Sequence, residues 1–429
     1  MSTDPRPPRG GGPRPPQGGD GPPPAGGEPP FSGADRVRRA RREARRRQLR
    51  RRRLIALVVV VLVVLVVPPT ISYAVYMRQP SSVSWKIRSV EWVRDNHGAW
   101  LVNFVERTYY SVTAPKKGGP GLTALPSVAA DSGSATPKPS KTAKAVYTPP
   151  SVKPAISPAL AGEGVWHPVG TAVGDSYPVR VTEFRAEADY PRIVTYAAWI
   201  DHTISQLALY PGRVEPPQGS PRGPMMVPDG QRGRLLAVFN SAFKYKDGRG
   251  GFFVNGNEYT PLTAGMGTLV GYDDGHVDII KWPGGSPPGN VVLARQNLPM
   301  IVNNGKANPA LDTNGAEWGW TLGNAVRVWR SGVGVDRHGN LIYVAAPSQS
   351  VMSLAGSLIR AGAVRALEFD INTVWPTFNY FRRPGAQSPV KFLPNVQHPG
   401  ITRYLVPDDR DFFVVYTRDK NGDFSVPFH

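Results

Sequence analysis

Residues 367–375 read LEFDINTVW. On a strand, Glu368, Asp370 and Asn372 fall on one face, and three polar groups beside apolar partners are costly to bury without a purpose. Carboxylates so placed can activate water or hold a proton, or they can be hydrogen-bonded structural groups. Residues 329–335, WRSGVGV, set Arg330 ahead of Ser331, Gly332 and Gly334. Small residues let backbone approach a ligand closely, and a guanidinium presents a planar fork matched to phosphate or carboxylate. An outward-pointing surface arginine is the plainer reading.

Two further segments mix polar residues into strand-like sequence. Asn240 follows the apolar run 235–239, and DGRGGFF stands at 247–253. Asn240 could bind ligand or simply end a strand with its amide satisfied. Arg295, Gln296 and Asn297 precede an apolar stretch at 298–302, and Asn303-Asn304-Gly305 reads as a turn. Glu317, between Ala316 and Trp318-Gly319-Trp320, is an outside candidate for a carboxylate next to rings that could support a sugar.

Absences narrow the chemistry. There is no Cys, so thiol nucleophiles, iron–sulfur clusters and Cys-ligated zinc drop out. The seven His are scattered, without HExxH or paired ligand spacing, so a zinc hydrolase is not expected. No GxSxG, P-loop or strand-linked GxGxxG occurs, and neither metal nor cofactor is called for. The net charge of +19 suggests nucleic acid until it is located: twelve Arg and one Glu lie within 36–53, leaving +9 from Arg78 onward. That cluster reads as a topology signal and an anionic-lipid contact, not a nucleic-acid arm.

The elements that must position these residues follow in order. Residues 1–35 form a Pro/Gly-rich tail, expected to be disordered and cytoplasmic, since eleven Pro and nine Gly in the first 33 residues leave almost nothing apolar to bury. The Arg-rich segment 36–53 leads into 54–77, 24 uncharged residues that would reach roughly 36 Å as a helix, enough to span a bilayer. Pro68-Pro69 is expected to kink or end that helix. A cleaved signal peptide fits poorly, because its apolar region would be shorter and would not follow a long tail. The basic flank puts the N-terminus in the cytoplasm and the C-terminal domain outside the cell membrane.

Residues 78–112 read as a membrane-proximal stalk of two helical pieces broken near Gly98, with Trp100, Leu101, Phe104 and Val105 on one stripe. The stripe suits an interfacial helix, a membrane-protein partner, or packing on the main domain. A Pro/Ala/Ser/Lys linker covers 113–165. The domain at 166–429 is rich in short strands, at 179–184, 192–200, 235–239, 267–272, 276–282, 326–335, 341–344, 366–371 and 412–416. Asp273-Asp274-Gly275 and residues 337–340 read as hairpin turns. One strong helix is expected at 349–361, capped by Ser348 and ended by Gly362. The class is α+β: a β-rich mixed sheet with a few packed helices.

Taken in order, the segments resemble the phosphodiester glycosidase family, with its mannose 6-phosphate uncovering enzyme-like domains. The counterparts are NSAFK at 240–244 with the later GGFF, WRSGVGVD at 329–336 with the turn after it, the helix ending at Gly362, and LEFDINT at 367–373. The tail, the single span and the DIN variant are similar to an actinobacterial membrane-anchored branch of that family. The resemblance carries over at Asn240, Arg330, Gly334 and Asp370. It departs after the aspartate, where Ile371, Asn372, Thr373 and Val374 replace glycines and serines, a change that narrows the pocket and leaves Asn372 to supply a donor.

The resemblance implies hydrolysis of sugar–phosphodiester linkages in envelope glycans or exopolysaccharide. Such a reaction expels a phosphate anion, a better leaving group than an alkoxide, so a cation on the phosphate matters more than a general acid. Arg330 is expected as that clamp, Asp370 as the first candidate for the carboxylate that activates water or attacks, and Glu368 as the second. Asn240, Asn372, Arg295, Asn297, Ser331 and Gly334 are expected to bind substrate. The alternative, from the missing Gly/Ser motif, is a non-catalytic glycan-binding or scaffolding protein of the envelope.

Overall fold

The computed structural model describes residues 33–126, 147–312, 315–319, 327–394 and 400–428. The expected tail lies almost wholly outside them. The chain divides after Ile71 into two units.

Among the described residues the first unit is helix: α1 (Gly33–Arg78) takes in both the Arg-rich segment and the apolar run and continues past the division. It is long and apolar enough to cross a membrane. Pro68 and Pro69 lie inside it, and helix continues to Arg78, so the expected stop at that pair does not occur. Beside the prolines the Thr70 hydroxyl donates to the Val66 carbonyl one turn back.

The second unit opens with α2 (Trp85–Val93) and α3 (Ala99–Val112). Between them Asn96 and His97 leave helical geometry, with His97 at φ 67°. A Cβ at Gly98 would fall 2.3 Å from Val93 Cγ1 and 2.7 Å from the Val93 carbonyl oxygen, so only glycine lets the second helix start so close to the first. The hairpin packs on the domain: Arg88, Glu91 and Val102 are buried, and the Ser82 amide donates to the Pro407 carbonyl.

Every strand pairing among the described residues is antiparallel, a more uniform arrangement than a mixed sheet. An eight-stranded sheet runs His167–Val169, Val179–Phe184, Thr195–Ile200, Leu341–Gln349, Val328–Val335, Arg365–Ile371, Val302–Asn303, Lys306–Ala307. A five-stranded sheet runs Gln387–Lys391, Phe378–Arg383, Leu235–Asn240, Phe412–Thr417, Ser205–Tyr210; another runs Asn257–Thr260, Phe252–Val254, Val291–Gln296, Gly267–Tyr272, Val277–Lys281. Both expected hairpin turns join paired strands.

Stacked rings join the first two sheets. Phe369 and Tyr343, from the eight-stranded sheet, meet Phe239, Phe378 and Phe413, with Phe239 and Phe413 centroids 5.3 Å apart. Each fully buried ring contributes roughly 1.5–3 kcal/mol. A single helical turn, α4 (Tyr245–Gly248), follows the strand Leu235–Asn240. The opposite side of the eight-stranded sheet packs on α5 (Val351–Arg360), where Leu354 and Leu358 meet Ile342, Val344 and Ala366.

Helix α5 starts later than the sequence pattern suggests. Ser350, not Ser348, is its cap, accepting from the Ser353 amide at 3.1 Å. Ser348 sits at φ 54° in the strand Leu341–Gln349, and Gln349 is buried with its amide on Ser357 Oγ. The strand therefore claims Gln349, which helix propensity would have given to the helix, and Ser350 takes over the cap. Gly362, at φ 105°, follows the helix end as expected.

Candidate functional site

The strand Arg365–Ile371 delivers both expected carboxylates, and a bulge separates their fates. Across from Val328–Val335, Gly332 pairs with Glu368 and Arg330 with Ile371. Phe369 and Asp370 therefore stand against Ser331 alone. Such an insertion re-aims side chains. Glu368 is fully buried, while Asp370 lines a cavity of about 570 Å³.

Glu368 Oε1 accepts from Arg330 Nη1 at 2.5 Å. The other Arg330 donors go inward as well, Nε to the Gln349 carbonyl at 3.0 Å and Nη1 also to that of Trp318 at 3.2 Å. Arg330 is 3% exposed and does not line the cavity. The expected phosphate clamp beside Asp370 is not what this placement favours: Nε and Nη1 are committed to protein acceptors, and the guanidinium pairs with Glu368 away from the cavity. Burial pushes the Glu368 carboxyl up to about 7 against the pull of Arg330.

Asp370 pairs instead with Arg410, Oδ2 to Nη2 at 2.6 Å. Burial raises its carboxyl to about 7; Arg410 opposes this and Asp411 adds to it. Burial pulls Arg410 down, but Asp370, Glu215 and Asp411 outweigh it and hold the guanidinium above its usual range. Arg410 also donates to the Ala242 carbonyl and sits over Trp375 at 4.8 Å, with Arg403 on the same ring at 5.4 Å. The indole is buried and serves to hold the two arginines.

The remaining expected binders mostly support the carboxylate strand from inside. Asn240 donates to Ser331 Oγ and accepts from Tyr343 Oη and the Thr377 amide. Ser331 Oγ donates to the Asp370 carbonyl at 2.6 Å. Asn297 donates to the Glu368 carbonyl at 2.7 Å. Arg295 is spent on Asp411 and on the carbonyls of Phe243 and Gln296. At Gly334 a Cβ would fall 2.6 Å from Ala363 Cβ, so its smallness admits the chain after α5, not a ligand. None of these five lines the cavity. Asn240, Ser331 and Asn297 support the backbone that carries Asp370 and Glu368.

Asn372 does line it. It takes a positive φ of 88°, and its side-chain oxygen accepts from the Val374 and Trp375 amides. The carbonyl oxygen is thus committed to the loop. Glu317 lies on the cavity wall, exposed.

Sequence reasoning missed half of the site. Arg410 comes from Asp408-Asp409-Arg410-Asp411, all buried, immediately before the apolar strand Phe412–Thr417. Four consecutive charges abutting FFVVYT were the available signal. Lys244 caps the start of α4 and Lys246 lies within it, both facing the stalk: Lys244 pairs with Glu91 and lies 3.7 Å from Asp95, and Lys246 pairs with Asp95. Burial would raise Glu91 and Asp95, but these cations outweigh it and lower both. Arg94 and Tyr110 of the hairpin close the cavity's outer side.

The arrangement can present to a ligand one carboxylate that titrates near neutral pH, with cations around it. Among the described residues no group of His, Asp and Glu is arranged to hold a metal ion.

No family model and no curated protein matches the chain. Solved structures similar to it include the catalytic domain of zebrafish N-acetylglucosamine-1-phosphodiester alpha-N-acetylglucosaminidase auto-inhibited by its pro-peptide, at 12% identity and TM-score 0.40, covering 58% of this chain and 87% of that one. A hypothetical protein from Synechocystis matches at 12% identity and TM-score 0.33, covering 59% and 64%. A putative exported protein from Burkholderia pseudomallei matches at 11% identity and TM-score 0.23, covering 54% and 75%.

Proposed function

We propose that the protein is a membrane-anchored hydrolase of sugar–phosphodiester linkages, working on envelope glycans outside the cell. The observation that carries this reading is Asp370, a carboxylate raised to about 7 at a cavity wall and oriented by Arg410. The ordered motifs around Asn240, Arg330 and Asp370 support it. A carboxylate with that proton affinity takes a proton from water efficiently near neutral pH. Water adds to the anomeric carbon, the bond from that carbon to the phosphate oxygen breaks, and Asp370 receives the water proton. The products are free sugar and a phosphate monoester. Arg94, Lys244 and Lys246, which line the cavity and are ion-paired with hairpin acids, take the phosphate in exchange for those partners, the role first expected of Arg330.

The test is release of free sugar from a sugar-1-phosphodiester by the full chain. Asp370→Asn abolishing that release, with the protein still folded, supports the reading; an unchanged rate overturns it.

One observation favours the alternative, a non-catalytic glycan-binding protein: Lys244 and Lys246 are already paired with Glu91 and Asp95. Saturable binding of anionic wall polymer with no release of sugar would establish it.

A further inference from the structure

Beside the Asp370 cavity lies a second space, a groove of about 550 Å³ between α2 and α3. Val90 and Val93 wall it from one helix, Leu101 and Val105 from the other, and Val374 closes one side. Its volume is in the range of small-molecule sites. The two spaces are not separate: Arg94, Glu106, Tyr110 and Asn372 line both. An apolar trough thus runs into a charged cleft.

The junction is built around Arg94. Its Nη1 lies 2.5 Å from Glu91 and its Nη2 2.5 Å from Glu106, while its Nε has no partner among the described residues. A ligand that passes from trough to cleft passes this guanidinium, which suits a phosphate.

At its outer end the trough opens onto an exposed stripe of α3. Trp100, Leu101, Phe104, Val105 and Val112 are 72%, 45%, 64%, 57% and 81% exposed. Their spacing puts them on one helix face, and Leu101 and Val105 belong to both stripe and trough. Only six residues separate Trp85, which begins α2, from Arg78, which ends α1, a link of at most about 25 Å. A stripe of this kind tethered so near a membrane span suits the lipid interface. A partner helix, about 10–12 Å across, could cover the stripe but could not follow the trough into the cleft. A flexible hydrocarbon chain can.

The geometry points to an amphiphilic substrate: a sugar phosphate whose head occupies the Asp370 cleft and whose hydrocarbon alcohol, esterified to the same phosphate, lies in the trough between α2 and α3. This rests on the phosphodiester reading above and names its substrate class as lipid-linked. Each methylene seated in the trough should tighten binding about fourfold.

The test uses the full chain in phosphatidylcholine nanodiscs, with methyl phosphate and octyl phosphate as probes and empty nanodiscs as the blank. Dissociation constants are read by calorimetry. Octyl phosphate is expected to bind at least ~100-fold more tightly than methyl phosphate. Val105→Asp and Val90→Asp, at positions already partly exposed, should collapse that ratio to below about tenfold, and Val105→Leu should keep it. Thermal melting of each variant shows that it is folded. A ratio near one in the native protein overturns the inference, as does a ratio unchanged by both aspartates. Sugar release from methyl and octyl sugar-1-phosphodiesters is measured in parallel. No release from either sinks the hydrolase reading alone, because the binding ratio decides the trough on its own.

Discussion

Arg330 Nη1 meets Glu368 Oε1 at 2.5 Å in the protein interior, one residue before the bulge that turns Asp370 toward the cavity. Two ionic pairs, Arg330 with Glu368 and Arg410 with Asp370, are built on one strand and have different surroundings. The first is sealed in the interior; the second lines the cavity.

The buried pair should act on stability. Arg330→Ala leaves a carboxyl in the interior without its cation and is expected to cost about 3–5 kcal/mol, while the double replacement Arg330→Met with Glu368→Met recovers most of it. The thermal midpoints of the three proteins check this. A single variant that melts like the native protein but cannot bind phosphate would return Arg330 to the role of clamp.

Asp370→Asn should behave in the opposite way. The amide still accepts from Arg410, and Asp411 and Glu215 remain to balance its charge, so the melting point should fall less than in Arg330→Ala. Turnover should fall by ~100-fold or more, measured as sugar released per folded protein.

The pH dependence follows from the direction of both carboxyl shifts. Glu368 and Asp370 rise from ordinary carboxylate values to about 7 on folding, so the folded state holds more protons than the unfolded one between about pH 4 and 7. Their contribution to stability is complete below the unfolded values and is lost as pH climbs through about 7. Melting points measured across that window should decline, and Glu368→Gln should flatten the decline. Turnover should rise over the same interval, with a midpoint near 7, as Asp370 ionises.

Gly334→Ala should destabilise without a specific kinetic effect. The new methyl would sit 2.6 Å from Ala363 Cβ and 3.1 Å from the Arg365 carbonyl oxygen, an overpacking that costs about 1–3 kcal/mol. A changed KM with an unchanged melting point would show that the glycine borders the ligand after all.

Glu91→Gln should loosen the hairpin. Lys244 is a tenth exposed in its side chain and keeps only the more distant of its two charged partners, Asp95. Backbone amides of α3 are expected to exchange roughly fivefold faster or more, and hydrogen exchange of the full chain measures this directly.

The strands with a clean apolar pattern were legible from the residues: 179–184 and 267–272 match their observed bounds, and the two turns with Asp-Gly and His-Gly-Asn sit where the chain reverses. Phe252–Val254, Val291–Gln296 and Phe378–Arg383 escaped notice because glycines, a polar Arg-Gln end and charged flanks hide their periodicity. At the site, Asp370 could be read because it interrupts an apolar strand. Its partner could not. Arg410 lies 40 residues on, and only the fold brings that segment against Asp370. The apparent common face of Glu368 and Asp370 was misleading for a local reason, since strict alternation holds only while both strands advance one residue at a time.

That slip of one residue has a use beyond geometry. A regular strand would expose neighbouring acids to the same selective demand, so that any change tuning one would disturb the other. With the extra residue opposite Ser331, the acid that secures the interior and the acid at the cavity wall can be altered independently.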